Sequence, residues 1–337
     1  MSALEEAIKT LNKQFGSDYL TEGLKVKNVV KHPVGIDAID LALGGGIPEA
    51  KIVMFAGKFS AGKSTTAVCA AAQCQKENGK VVYIDTEGAF DATWALKFGF
   101  DISKAVYCTP ENVEQVTDIV ETLLMSGEVD MVIWDSTAVT PSAKELDDSA
   151  EQKSMGGTAK AIGLFMRKIT TRLHSPKFNL KTRVILINQL RDNVSGYGSA
   201  LYTPGGKQLH YQSDAIIWLT PRSEPVGGKE APQGITVDFK VIKSRWCPPL
   251  RNGSYDLMFR GGINNKKSVI EYAIKFGLIR KAGAMYTFGE NKVRGIDALV
   301  NAITDNQLEK IKPVIMEEMA KGNYDLKEED DLTMAVE

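Results

Sequence analysis

The sequence predicts an α/β fold built around a mostly parallel, twisted sheet with helices on both faces. Four apolar runs, KIVMFA, KVVYIDTE, VDMVIWD and RVILINQ, alternate with helical stretches, and continuous hydrophobicity is typical of strands that are buried on both faces. Two later runs, AIIWLT and ITVDFKVIK, are joined by the polar, Pro/Gly-rich segment PRSEPVGGKEAPQG. This pattern indicates an antiparallel hairpin added at the edge of the sheet.

A short helix is expected before this core. Its apolar residues recur at helical spacing, at Leu4, Ala7, Ile8, Leu11 and Phe15. Gly16 then supplies a helix stop. The apolar stripe needs a partner, and the sequence leaves open whether that partner is the same domain or a neighbouring subunit.

The pattern changes again after Gly261 and Gly262. Helical SVIEYAIKFGLI, strand-like AMYTFG and the helical runs DALVNAI and LEKIKPVIMEEMA follow, which indicates a small α+β C-terminal domain. The 337 residues therefore divide into an N-terminal helix or oligomerisation segment at 1–30, the sheet-containing core at 31–260, this domain at 261–324 and an acidic tail at 325–337 that is expected to be disordered.

Overall charge gives no indication of a nucleic-acid partner, because the net charge is only -1. The acids are concentrated in the tail: residues 325–337 hold six acidic residues and one lysine, so residues 1–324 carry 40 basic and 36 acidic residues. The tail is either a solubilising segment or an electrostatic competitor for DNA.

Cysteine spacing and hydropathy exclude several classes of protein. The four cysteines, Cys69, Cys74, Cys108 and Cys247, show no CxxC spacing and no partnering His cluster, which argues against a zinc site and a disulfide framework. The N-terminus MSALEEAIKT does not resemble a leader, and no apolar run is long enough to span a membrane. We therefore expect a cytoplasmic protein without a membrane partner.

A phosphate-loop motif stands between the first strand and the following helix. Gly57 to Ser64, GKFSAGKS, fits G-x-x-x-x-G-K-[ST] after IVMFA and before TTAVCAAAQCQ. Glycines in this motif let backbone N–H groups face phosphates. Lys63 is expected to neutralise the β- and γ-phosphates, and Ser64 to offer its hydroxyl to Mg²⁺.

Polar residues end three of the other predicted strands. Asp135 closes VDMVIWD and is the candidate second residue of the magnesium site. Glu87 follows KVVYIDT and is the candidate general base for the water that attacks the γ-phosphate, whereas Asp85 is interpreted as structural. Asn188 and Gln189 end RVILINQ, where an amide either senses the γ-phosphate or makes a plain loop contact.

In order and spacing, GKFSAGKS, YIDTEGAFDATWA, VDMVIWDSTAVTP and VILINQLR resemble the core of the RecA-type recombinases. The resemblance continues through SMGGTAKAIGLFMRKI, TPGGKQLHYQSDAIIWL, VDFKVIKSR and FGLIRKAGAMYTFGENKVRG, over nearly the whole chain. It implies a RecA-like P-loop ATPase core that uses ATP and Mg²⁺. Bound ATP would contact the loop at Gly57, Lys58, Phe59, Ser60, Ala61, Gly62, Lys63, Ser64 and Thr65.

The resemblance also implies roles for residues outside the loop. It implies catalytic Glu87, a γ-phosphate sensor at Gln189, and adenine contacts at Asp91 and at Trp94, which replaces the usual tyrosine. Lys243 and Arg245 match the cations that reach a neighbouring subunit's ATP. Arg245 stands where bacterial members have lysine, which favours a phage or a divergent bacterial source.

Two loops near the filament axis hold DNA in this family, and they correspond here to Pro141–Gly157 and Arg191–Gly205. Glycines, cations and aromatic rings suit a segment that orders around single-stranded DNA. The candidate DNA contacts are Lys144, Lys153, Met155, Gly156, Gly157 and Arg167 in and after the first loop, and Arg191, Tyr197, Tyr202, Gly205 and Gly206 in and after the second.

The implied function is homologous pairing and strand exchange between single-stranded DNA and homologous duplex DNA. The chain would self-assemble into a helical filament or ring, with a single-strand-binding protein or loader as a possible accessory. One alternative is a ring-forming helicase on the same fold. A second is a P-loop small-molecule kinase, which needs an acceptor pocket and an arginine-bearing lid that the sequence does not indicate.

Overall fold

A computed structural model describes residues 2–16, 20, 29–148, 156–192, 201–289 and 291–321. The strands are β1 Lys31–His32, β2 Ile47–Pro48, β3 Ile52–Gly57, β4 Val81–Asp85, β5 Val106–Cys108, β6 Met131–Asp135, β7 Arg183–Gln189, β8 Arg191–Asp192, β9 Leu201–Tyr202, β10 Ala215–Val226, β11 Gly234–Ser244, β12 Asn252–Met258, β13 Arg280–Ala282, β14 Met285–Phe288 and β15 Asn291–Arg294. The helices are α1 Ala3–Phe15, α2 Asp37–Ala42, α3 Lys63–Lys76, α4 Ala92–Lys97, α5 Val113–Met125, α6 Ala143–Asp147, α7 Gly157–Leu173, α8 Lys207–Gln212, α9 Asn265–Lys275, α10 Ile296–Ala302 and α11 Asp305–Ala320.

The central sheet has eight strands in the order β12-β11-β10-β3-β7-β6-β4-β5. The six strands from β10 to β5 are parallel, and β11 and β12 are antiparallel additions. Helix α3 packs on one face, and α5 and α7 pack on the other. The mostly parallel sheet covered by helices is therefore confirmed.

The prediction that the hairpin forms the edge of the sheet is wrong. Strands β10 and β11 do form an antiparallel hairpin, but β12 lies outside it. Strand β12 contains no apolar run, because it includes polar side chains that are buried. These side chains have partners: the Asp256 carboxylate accepts hydrogen bonds from Thr236 (2.7 Å) and Lys267 (2.8 Å). Paired polar side chains can thus be buried in a strand that the hydrophobic pattern does not indicate.

Helix α1 is confirmed, and its apolar stripe is not buried in the described part of the chain. Ser2 and Glu5 form a capping box at its start, and Gly16 ends it in the left-handed conformation. None of its residues is buried, and Leu4 and Phe15 are 63% and 54% exposed. Within the described residues, the structure therefore does not show this stripe packed into the core of its own domain.

Helices α9, α10 and α11 follow the sheet along the chain, with the three-stranded sheet β13-β14-β15 between α9 and α10. Their apolar side chains, including Val269, Leu299 and Ile315, belong to the same buried cluster as α3. Arg251 donates to the carbonyls of Ala42 (2.8 Å) and Met319 (2.9 Å), which ties this region to α2. The elements agree with an α+β region, whereas the boundaries proposed at 30, 260 and 324 stay predictions.

The predicted acidic tail, 325–337, lies outside the described residues. Among the helices that are described, we find none with the length and apolar character needed to cross a membrane.

Candidate functional site

The phosphate-loop motif forms the turn between β3 and α3. Strand β3 ends at Gly57 and α3 begins at Lys63, so the intervening residues lead from the sheet edge into the helix. Gly62 and Ser60 are left-handed, with φ of 75° and 57°. A Cβ on Gly57 would lie 2.6 Å from the carbonyl oxygen of Leu219, so only glycine fits there.

A cavity of about 490 Å³ lies against this loop. The loop residues from Phe59 to Thr65 line it together with Glu87, Ser136 and Gln189 from other strand ends, with Trp94 of α4, and with Ile235, Leu257 and Phe259 from β11 and the end of β12. The first N–H groups of α3 have no partner within the helix, which favours an anionic group at this position. The cavity therefore brings together most of the predicted nucleotide-site residues.

Asp135 lies buried at the end of β6, beside Ser64. Tyr83 donates a hydrogen bond to its Oδ2 atom at 2.9 Å, while Oδ1 has no hydrogen-bond partner within the described part of the chain. Burial raises the pKa of Asp135 to about 6, and the nearby Ser64 hydroxyl and the hydrogen bond from Tyr83 oppose that shift. A buried carboxylate oxygen without a partner, next to a serine hydroxyl, fits a divalent cation or its water.

Glu87 and Gln189 meet at the mouth of the cavity, where the Gln189 Nε2 donates to Glu87 Oε1 at 3.2 Å. Asp85 has the structural role that was expected. Its carboxylate accepts hydrogen bonds from the backbone N–H groups of Glu87 (3.0 Å), Gly88 (2.7 Å) and Phe90 (3.1 Å). Asp85 therefore holds the turn that carries Glu87.

Lys63 occupies the first position of α3, and its ammonium donates to the carbonyl oxygen of Lys58 at 2.9 Å. Burial lowers the pKa of Lys63, and the carboxylates of Asp135 and Glu87 oppose that shift. Lys58 itself forms an exposed ion pair with Asp192 at 2.9 Å. The two lysines of the motif thus have different surroundings.

Trp94 forms one wall of the cavity. Its indole N–H donates to Thr65 at 3.1 Å, and its ring packs 5.0 Å from that of Phe98. The Asp91 carboxylate caps α4 by accepting from the N–H groups of Thr93 and Trp94. Asp91 therefore positions Trp94, and a direct contact with adenine stays a prediction.

Lys243 and Arg245 lie at the opposite edge of the sheet from the phosphate loop. Lys243 is in register with Ile216, which is in register with Met54, three residues before Gly57 and two strands away. This register places the Cα atoms of Lys243 and Gly57 roughly 14 Å apart. The Lys243 ammonium donates to the carbonyls of His210 (2.6 Å) and Tyr211 (2.9 Å), so it is directed away from its own phosphate loop.

Arg245 is held at the same edge by a buried carboxylate. Its guanidinium donates to Asp214 Oδ1 at 3.1 Å and to the Tyr211 carbonyl at 2.9 Å, and its side chain remains 45% exposed. Burial lowers the pKa of the neighbouring Lys243, and the positive charge of Arg245 lowers it further. Two cations are thus fixed at a partly exposed surface that their own nucleotide site does not reach.

The predicted DNA contacts fall in two separate regions. Lys144 is exposed on the short helix α6, Gly156 and Gly157 begin α7, and Arg167 is exposed on α7. In the second region Arg191 and Tyr202 pair across the two-stranded sheet β8-β9, and Gly205 and Gly206 precede α8. Lys153, Met155 and Tyr197 lie outside the described residues.

The second region is linked to the nucleotide cavity through Asn188. Its side-chain amide donates to the Pro204 carbonyl at 2.9 Å, and its carbonyl oxygen accepts from the N–H of Gln189 at 2.8 Å. Asn188 therefore connects the end of β7, next to Glu87, with the loop that carries Gly205.

The sequence analysis did not identify Tyr83 and Phe259 as site residues. Phe259 follows the polar strand β12 and is 41% exposed at the cavity. Tyr83 lies inside an apolar run and appears as core, although its hydroxyl contacts Asp135. Both contacts depend on how distant strands are aligned, which no local motif indicates.

Comparisons with known proteins agree with this architecture. The family model described as the RecA N-terminal domain matches residues 2–264. Protein RecA of Chlorobaculum parvum is 36% identical over 298 residues, which is 87% of this chain and 84% of that protein. Protein RecA of Acholeplasma laidlawii is 34% identical over 327 residues, 95% of each chain, and that of Nautilia profundicola is 33% identical over 302 residues, 86% of this chain and 83% of that protein. The chain belongs to the RecA family of recombinases.

Proposed function

We propose that this chain assembles on single-stranded DNA, binds and hydrolyses ATP between adjacent subunits, and pairs the bound strand with homologous duplex DNA. The observation that carries the proposal is the separation of the two halves of one catalytic site. The phosphate loop lies at the carboxyl edge of the parallel strands, and Lys243 and Arg245 lie at the amino edge. Such a protein completes its site only by assembling head to tail.

The nucleotide binds in the cavity beside the phosphate loop. Lys63 and the N–H groups at the start of α3 hold the phosphates, and the rings of Trp94 and Phe259 enclose the adenine from two walls. The hydroxyl of Ser64 and the Oδ1 atom of Asp135 would hold Mg²⁺ or its water. When bound, Mg²⁺ neutralises charge on the β- and γ-phosphates.

Hydrolysis uses the residues at the mouth of the cavity. Glu87 accepts a proton from the attacking water, and Asp85 keeps the Glu87 backbone in place. Gln189 donates a hydrogen bond to Glu87, and its amide is the group that contacts the γ-phosphate of bound ATP. Because Asn188 links this strand end to Pro204, the occupied cavity orders the second DNA loop.

Two cations from the neighbouring subunit complete the transition-state charge balance. Asp214 and the Tyr211 carbonyl hold the guanidinium of Arg245 before assembly, so little conformational freedom is lost when it reaches the partner's phosphates. Hydrolysis therefore depends on polymerisation, and polymerisation depends on DNA.

DNA is held without reading its sequence. Lys144, Arg167 and Arg191 are exposed cations that suit phosphate contacts, and Tyr202, 46% exposed, offers a ring for base stacking. Base pairing between the bound strand and the duplex then supplies specificity.

Steady-state ATP hydrolysis with and without long single-stranded DNA tests the proposal. We expect strong stimulation by DNA in the wild-type chain and none in Lys63→Ala, followed by joint-molecule formation with homologous duplex. Hydrolysis that is indifferent to DNA would contradict the proposal and favour a small-molecule kinase. DNA-stimulated hydrolysis with unwinding and no joint molecules would instead identify a helicase.

A further inference from the structure

Two tyrosines on neighbouring strands make the same diagonal hydrogen bond. Tyr107 of β5 donates to Asp85 at the end of β4 (2.9 Å), and Tyr83 of β4 donates to Asp135 at the end of β6 (2.9 Å). Tyr83 is in register with Tyr107 on one side and with Ile133 on the other. Each tyrosine thus reaches one strand towards the centre of the sheet and two residues further along it.

Tyr83 is held rigidly. Its side chain is 1% exposed, and its ring lies 4.6 Å from that of Phe90 and 6.1 Å from that of Phe100. The hydroxyl has a fixed position and direction relative to Asp135.

The two oxygens of Asp135 are therefore different. Oδ2 accepts from Tyr83, whereas Oδ1 is buried and accepts from no group in the described part of the chain. A carboxylate that can rotate offers either oxygen to a cation, but the fixed phenol selects one rotamer. The unpartnered atom then lies on the side of the carboxylate that Tyr83 does not occupy.

We propose that Tyr83 is a positioning residue for the divalent cation, because its hydroxyl fixes Oδ2 of Asp135 and reserves Oδ1 for the cation or its water. The inference rests on the proposed role of Asp135 at the magnesium site. Its alternative is that the phenol merely satisfies its own buried hydroxyl, as buried tyrosines usually do. The two readings differ in what happens to metal affinity when only the hydroxyl is removed.

The experiment compares Tyr83→Phe with Tyr107→Phe in the full-length chain. Mn²⁺ serves as the probe: its binding to the protein–ADP complex is followed by electron paramagnetic resonance, and ADP affinity is measured separately in EDTA. In Tyr83→Phe we expect the Mn²⁺ dissociation constant to rise at least about tenfold, with ADP affinity in EDTA changed by less than about twofold. Tyr107→Phe is the matched control, since it removes an equivalent bond to Asp85, which lies on the next strand, and leaves Mn²⁺ affinity unchanged.

An unchanged Mn²⁺ affinity in folded Tyr83→Phe would overturn the inference and leave the phenol a structural group. Equal losses of Mn²⁺ affinity and of ADP affinity in EDTA would also overturn it, because the pocket as a whole would then be disturbed. Asp135→Asn separates this outcome from failure of the proposed function. If Asp135→Asn binds Mn²⁺ normally, Asp135 is not the metal residue; if it binds poorly, Tyr83→Phe added to it should have no further effect.

Discussion

Two inactive variants, Glu87→Gln and Arg245→Ala, should restore each other's ATP hydrolysis when they assemble together. Each subunit carries its phosphate loop at one edge of the sheet and Arg245 at the other, so in the proposed head-to-tail assembly every interface joins the loop of one subunit to the cations of the next. An interface is intact only when an Arg245→Ala subunit binds the ATP and a Glu87→Gln subunit supplies the arginine. In an equal, random mixture we therefore expect about one quarter of wild-type turnover, against losses of at least about a hundredfold for either variant alone.

The assay is ATP hydrolysis at saturating single-stranded DNA and constant total protein, with the ratio of the two variants varied. Turnover should follow a symmetric curve with its maximum at the equal mixture. Glu87→Gln mixed with Lys63→Ala is the control, because both changes affect the phosphate-loop edge and no interface of that mixture is intact. A mixture of Glu87→Gln and Arg245→Ala that never exceeds the sum of its components would refute a site shared between subunits.

The remaining predictions concern the base-binding wall, the phosphate loop, a buried acid and the second DNA loop. Trp94→Ala should weaken ATP binding about tenfold through loss of ring stacking, whereas Trp94→Tyr should retain it, as nucleotide titration would show. Gly57→Ala should lower the free energy of unfolding by roughly 1–3 kcal/mol in urea denaturation, because its Cβ would lie 2.6 Å from the Leu219 carbonyl oxygen; wild-type stability would contradict the close approach. Burial raises the pKa of Asp40 from 3.8 to about 7, so the folded state retains a proton that the unfolded state loses, and stability falls as pH rises through that window. Relative to wild type, Asp40→Asn should therefore gain roughly 3 kcal/mol between pH 5 and pH 8, measured by urea denaturation at both pH values. Arg191→Ala should weaken binding to single-stranded DNA and reduce the slope of log affinity against log salt by about 0.7, and an unchanged slope would remove Arg191 from the phosphate contacts.

The hydrophobic pattern was sufficient for the centre of the sheet and insufficient for its edges. Strands β3, β4, β6 and β7 are covered on both faces, so their sequences are nearly continuous apolar runs that local inspection detects. Strand β5 has three residues, of which Val106 and Tyr107 are exposed, and β12 buries polar groups that are paired with α9 and β11. Neither length nor polarity distinguishes such segments from loops before their partners are known.

Within the candidate site, the loop motif and the strand-ending acids were predictable because each stands at a fixed position relative to an apolar run. The partners of those acids were not, because they depend on register between strands. The bond from Tyr83 to Asp135 requires β4 and β6 to be neighbours with Asp85 opposite Asp135. Tyr83 and Asp135 are 52 positions apart in the chain, and they are brought into contact by the order of strands, which a single sequence does not contain.

Under the proposed function, strand direction explains why one subunit does not complete its own site. Strand β10 runs parallel to β3, so the hairpin turn lies beyond the phosphate-loop edge and β11 returns to the amino edge, where it ends at Ser244. Asp214 joins the two features, because its Oδ2 accepts from the N–H of Ile52 at the start of β3 (3.0 Å) while its Oδ1 accepts from Arg245. The buried strand β3 therefore separates the phosphate loop, which follows its last residue, from Arg245, which lies near its first residue. Because a buried strand is stiff, the spacing between these groups is fixed within each subunit, and only the geometry of the interface decides whether the site is complete. The proposed control of hydrolysis by assembly on DNA then requires no rearrangement of the sheet.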